Sequence, residues 1–199
     1  MNEREVRHAM SIDDAYVVEQ RLACGPSGVT ELVSIDGTGP FVRKRMPLAH
    51  VCRGVWAMLG ECRCPYLPRV HAMYEMPDEF VVICDYVPGE TLLDRVGDQG
   101  PLALGEARAV LAQLCEAVGS LHAHGIVHRD VAPANIVLAE DGAHLIDLGS
   151  ACLLGAEVRE ESTPMGTWGF AAPEQHGFAP VDVRSDVYGL GRVAAYLLT

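Results

Sequence analysis

The sequence predicts an α+β fold in two parts: an antiparallel sheet with one helix, then a mainly helical region. Three observations predict it. Residues 29–46 alternate apolar and polar on either side of Asp36-Gly37-Thr38-Gly39, the period and turn chemistry of paired strands. Residues 110–121 carry apolar side chains at three- and four-residue spacing, the period of a helix. Between the two, the character changes at Pro88-Gly89.

Taken in order, VTELVSID and PFVRKRM form the predicted hairpin. Leu48, Val51, Val55, Met58, Leu59 and Cys62 then fall on one helical face, and EFVVICDYV reads as a buried strand. The segment starting at Pro101 places Val110, Leu111, Leu114, Val118 and Leu121 on one stripe, which Gly125 ends. Two short strands, IVL and HLIDL, flank an Asp141-Gly142 turn, and SDVYGLGRVAAYLLT is helical again. The expected layout is a strand-rich lobe over 1–84, a hinge near 85–89 and a larger helical lobe to 199. The chain stops at Thr199, inside the helix beginning near Asp186, so that lobe is expected to be incomplete.

Composition excludes some functions. The formal net charge of −12 leaves no basic stripe to displace counterions from nucleic-acid phosphates; the densest basic run is Arg43-Lys44-Arg45. The charged N-terminus, MNEREVRHAM, has no apolar stretch after it, and no run reaches membrane-spanning length, so a cytoplasmic protein is expected. The seven cysteines then read as reduced thiols. Cys62 and Cys64, with Cys52 and His71, lack the spacing of a paired zinc clamp.

The segment IVHRDVAPANIVL carries the chemistry. Asp130 can accept a hydrogen bond from a substrate hydroxyl and orient it, while Asn135, five residues on, offers an amide oxygen to a hard cation. This loop is similar to the catalytic loop of protein kinases. Other segments carry the same resemblance in order. Asp147-Leu148-Gly149 resembles the Asp-Phe-Gly motif, with leucine keeping the middle position apolar. Ala172-Pro173-Glu174 resembles the end of an activation segment, and RSDVYGLG, with Asp186 and Gly191, resembles the helix that anchors the catalytic loop. The chain is thus identified as a member of the protein kinase superfamily, of the eukaryotic-like (Hanks-type) bacterial Ser/Thr kind, with a protein-kinase-like bilobal fold and a truncated C-lobe.

The resemblance implies roles. Asp130 orients the hydroxyl of a protein substrate, Asn135 and Asp147 hold Mg2+, and Lys44 holds the α- and β-phosphates of ATP. Lys44 lies on the strand after the hairpin, with Arg43 and Arg45 on the opposite face because strand side chains alternate. LACGPSGVTEL resembles a degraded Gly-rich loop, with Ala23, Gly25 and Gly28 at the glycine positions and Thr30 at the usual valine. Val42 and Val137 join the nucleotide site, Cys84 guards the back of the adenine pocket, and Asp85 to Val87 form the hinge. Arg129 can pair with a phosphate on the activation segment, where Ser162 and Thr163 are the candidate sites of autophosphorylation in trans. Thr167 resembles the threonine that contacts the catalytic aspartate.

Three departures stand out. The only acid between Lys44 and Pro65 is Glu61, whereas the family's helix glutamate belongs near Val55; either Glu61 serves after a shift or the pair is missing. Ala132 stands where Ser/Thr kinases carry a lysine, and Ala134 supplies no arginine instead. The C-lobe stops short, without the usual partner for Glu174. The leading expectation is a protein Ser/Thr kinase, and the alternative is a pseudokinase binding nucleotide as a scaffold. A small-molecule phosphotransferase fits less well, because such enzymes lack the Ala-Pro-Glu segment.

Overall fold

In a computed structural model, residues 3–49, 51–155, 166–177 and 180–199 are described. They form two compact units, one of residues 1–60 with 69–86, the other of 61–68 with 87–199.

The first unit opens with a helix the sequence reading did not single out, α1 (Glu3–Asp13). Five antiparallel strands follow, β1 (Tyr16–Gly25), β2 (Gly28–Ile35), β3 (Thr38–Pro47), β4 (Val70–Glu75) and β5 (Glu79–Asp85), in the order β1-β2-β3-β5-β4. Strand β5 lies between β3 and β4, and Phe80 to Cys84 are all buried, which explains an unbroken apolar run where edge strands alternate. The predicted hairpin is β2–β3, with Asp36 and Gly37 at positive φ in its turn.

The helix between β3 and β4, α2 (Arg53–Glu61), is shorter than the apolar spacing predicts. Val55, Trp56 and Leu59 are its buried residues, while Leu48 stays with the sheet because its N–H donates to Asp78 O at 3.3 Å. Here the pairing of β3 with β5 outlasts the helical pattern.

Among the described residues, three helices build the second unit. After β6 (Glu90–Thr91) and α3 (Leu92–Gln99), capped by the Thr91 hydroxyl, the long α4 (Leu104–Ala123) buries Ala107, Val110, Leu114, Ala117, Val118 and Leu121. Leu111, expected on that stripe, is only half-buried. Short strands come next: β7 (Ile126–Val127), β8 (Ile136–Ala139), β9 (Gly142–Leu145) and β10 (Cys152–Leu153). Strands β8 and β9 form the hairpin predicted around Asp141-Gly142, with β6 on its other edge, and β10 pairs with β7. The last helix, α5 (Val183–Leu198), packs against α4 and turns Ser185, Asp186, Gly189, Val193 and Leu197 inward. At Gly189 an added Cβ would stand 2.9 Å from Val131 Cβ and 3.0 Å from Val131 O, so glycine lets α5 approach the loop that follows β7. No helix among the described residues is long and apolar enough to cross a membrane.

Candidate active site

In the second unit the loop after β7 hangs from one buried carboxylate. Asp186, fully buried in the first turn of α5, accepts from His128 N at 2.9 Å and Arg129 N at 2.8 Å and meets His122 Nε2 at 2.7 Å. A buried carboxylate is tolerable only when such donors satisfy it. These bonds hold the chain through Arg129, whose φ of +66° is unusual for a side-chain-bearing residue. His128 then links two motifs. Its Nδ1 accepts from Asp130 N at 3.2 Å, which leaves Nε2 to donate to Ile146 O at 3.2 Å.

The turn presents Asp130. One carboxylate oxygen accepts from Thr167 N at 2.8 Å and Thr167 Oγ1 at 2.7 Å; the other accepts from Asn135 Nδ2 at 2.8 Å. The same Nδ2 donates to Asp130 O at 3.0 Å, so the Asn135 amide oxygen is turned away from Asp130. Ile146 N donates to Asn135 O at 2.8 Å, which brings the residue preceding Asp147 against the loop. Asp147 adopts φ +61°, ψ +79°, and its Oδ1 accepts from Gly149 N at 2.9 Å, while Leu148 is buried. The structure therefore gathers Asp130, Asn135 and Thr167 by direct bonds and ties in the chain at Asp147 through Ile146.

An amide oxygen and a carboxylate from adjoining segments suit a hard cation that takes its other ligands from phosphates and water, as magnesium does. Among the described residues no group of three or more His, Cys, Asp or Glu side chains is arranged to hold a metal by itself. Cys62 Sγ lies 3.0 Å from Ser120 Oγ.

Behind the loop, Gln175 donates to Arg129 O at 2.5 Å and accepts from Ala172 N at 2.9 Å. It braces the segment carrying Thr167 against the turn, a role that no motif in the sequence announces. Glu174 accepts from Ser185 Oγ at 2.7 Å, so among the described residues it already has a partner on α5. Arg129 Nε donates to Ser150 O at 2.6 Å. Ser162 and Thr163 lie outside the described residues.

Residues 42–199 match the family model for the protein kinase domain. The chain belongs to the protein kinase family. It is 41% identical over 122 residues to the serine/threonine-protein kinase PknB of Mycolicibacterium smegmatis, covering 59% of this chain and 20% of that protein. It is 34% identical over 142 residues to PknD of Mycobacterium tuberculosis, 70% of this chain and 21% of that kinase. The chain thus spans about a fifth of the length of these curated relatives.

The first unit of this chain places its share of the expected residues on one sheet face. Cross-strand pairs Ala23–Thr30, Thr30–Lys44, Lys44–Val82 and Val42–Cys84 run across β1, β2, β3 and β5, and directly paired residues share a face. Gly25 and Gly28 pair across a two-residue turn of Pro26 and Ser27. Asp85 N donates to Arg69 O at 3.0 Å, and its carboxylate accepts from Arg69 N at 3.0 Å and meets His71 Nε2 at 2.6 Å. In the second unit Val87 is half-buried, and Val137 is buried on β8 beside Gly89. The departures persist in the structure: Ala132 is fully buried and Glu61, at the end of α2, is exposed.

Proposed function

We propose that this chain is the catalytic portion of a protein Ser/Thr kinase, transferring phosphate from ATP to protein Ser and Thr hydroxyls with magnesium. What supports the reading most directly is the Asp130 carboxylate, fixed by Thr167 on one oxygen and Asn135 on the other. A carboxylate held in this way can accept a hydrogen bond from an incoming hydroxyl without reorganising, which is where positioning lowers a barrier. Asn135 and Asp147 would hold magnesium, which when bound neutralises charge developing on the phosphates. Lys44 would bind the α- and β-phosphates, with Ala23, Gly25, Gly28, Thr30, Val42, Asp85, Val87 and Val137 contacting the nucleotide. Similarity to the serine/threonine-protein kinases PknB and PknD supports a preference for Ser and Thr. A cytoplasmic location and autophosphorylation in trans at Ser162 or Thr163 belong to the same reading.

The test is a radiolabel transfer assay on a generic protein acceptor, beside thermal-shift titration with ATP and magnesium. Asp130→Asn is expected to lower transfer by roughly 10²–10⁴-fold with ATP binding retained, the usual worth of a general acid–base group. Undiminished transfer in Asp130→Asn, or binding of ATP by the parent chain with no transfer, overturns the proposal. Ala132 makes the second outcome a serious one, since no cation from this position faces the transition state.

A further inference from the structure

The sheet face opposite Lys44 is charged. It carries a cluster of charges, Arg43 and Arg45 from β3, Glu31 from β2 and Asp13 from the last turn of α1, with the more exposed Glu79 of β5 at its rim. Arg43 is only 4% exposed. Its guanidinium reaches Asp13 Oδ1 at 3.2 Å and Glu31 Oε2 at 2.9 Å. Arg45 pairs with Asp13 Oδ2, with Glu79 Oε2 at 3.1 Å and with Glu31 Oε2 at 3.6 Å. The Tyr74 hydroxyl of β4 donates to Asp13 Oδ1 at 2.7 Å. Asp13 touches both arginines and Tyr74, and it lies outside residues 42–199 that match the kinase family model.

Lys44 stands between the two clamped residues. On a strand, positions i−1 and i+1 share one face and position i points out of the other, so the direction of Lys44 is set by the pleat its neighbours impose. Both neighbours end in planar guanidiniums held by several charge-assisted bonds, a geometry with little rotational slack. If Asp13 loses its charge, Arg43 keeps Glu31 and Arg45 keeps Glu31 and Glu79, but the carboxylate that ties both guanidiniums to α1 and Tyr74 is lost. Removing the Asp13 carboxylate from this cluster is costly because the N–H and O–H donors it satisfied lose their acceptor.

We propose that Asp13, carried on α1 before the residues that match the family model, is a positioning residue for Lys44: it clamps Arg43 and Arg45 and so fixes the phosphate-binding lysine on the opposite face. This rests on the assignment of Lys44 to the nucleotide phosphates made above.

The experiment is a nucleotide-binding titration with a fluorescent ATP analogue and magnesium, on the full chain and its variants. Asp13→Asn is expected to weaken binding about tenfold, with Asp13→Glu restoring most of it because the carboxylate survives; tenfold corresponds to about 1.4 kcal/mol. Tyr74→Phe, which removes one hydrogen bond and keeps the ring, serves if Asp13→Asn fails to fold, and is expected to shift binding in the same direction by about threefold. Arg53→Gln, which breaks the exposed Arg53–Glu75 pair on α2 and β4, is the control and leaves binding unchanged. The decisive arm is the cycle with Lys44→Met: if Asp13 acts through Lys44, Asp13→Asn or Tyr74→Phe adds nothing in that background. Additive losses, or unchanged affinity in both Asp13→Asn and Tyr74→Phe, overturn the proposal. Unchanged binding in Lys44→Met overturns instead the assignment beneath it.

Discussion

At the scale of single residues, the candidate site depends on hydrogen bonds that leave each polar atom one role. Asp130 has its two oxygens assigned to different partners, and Thr167 supplies two of the three donors. Thr167→Val keeps the shape and the backbone donor but removes the hydroxyl, and a hydrogen bond to a charged group is worth roughly 1.5–3 kcal/mol. If that bond serves the transition state, kcat in the transfer assay falls about tenfold to a hundredfold, and Thr167→Ser recovers most of it. The sequence announced Thr167, Asp130 and Asn135 through their motifs. It did not announce Gln175, whose amide ties Arg129 O to Ala172 N, because a glutamine in a polar stretch looks the same whether it faces water or a backbone carbonyl.

At the scale of elements, the β1–β2 turn shows how two glycines of one loop differ. Gly28 has φ +125°, and a Cβ there would overlap the carbonyl oxygen of Arg45 on β3. Gly25 has no unusual φ and open space around it. Gly28→Ala should therefore lower stability by about 1–3 kcal/mol through strain and a forced shift of β3, while Gly25→Ala stays within about 0.5 kcal/mol. Thermal denaturation of the two variants side by side reads the difference. The shortened α2 belongs to the same scale. Its apolar stripe began at Leu48 in the sequence, but the Leu48 N–H is engaged by Asp78 O, so strand pairing took the residue first.

At the scale of the whole molecule, the formal charge of −12 and the acid response of the fold pull in different directions. Acidification relieves the general repulsion among carboxylates. It also reaches Asp13. Burial by itself would raise that carboxyl, but the Tyr74 hydroxyl and the Arg45 and Arg43 guanidiniums outweigh burial and hold it below its ordinary value of 3.8. A carboxyl depressed in the folded state contributes stability above its ordinary value and loses it as pH falls through the folded one. The melting temperature of the parent chain should exceed that of Asp13→Asn near neutrality, and the gap should close as pH falls below 3.8. A gap that stays constant across the titration refutes this account of Asp13.

The sequence by itself determined the family, the order of its motifs, the β2–β3 and β8–β9 hairpins, and the helices ending in Gly125 and beginning near Asp186. These are local patterns, and periodicity and turn chemistry act within a few residues. Only the tertiary structure decided that α1 packs beside β4, that Asp13 meets two arginines some thirty residues away, and that Asp186 carries the loop holding Asp130. An ion pair or a backbone acceptor leaves no periodic trace in a chain; it exists only once folding has removed water from both partners and left each with the other.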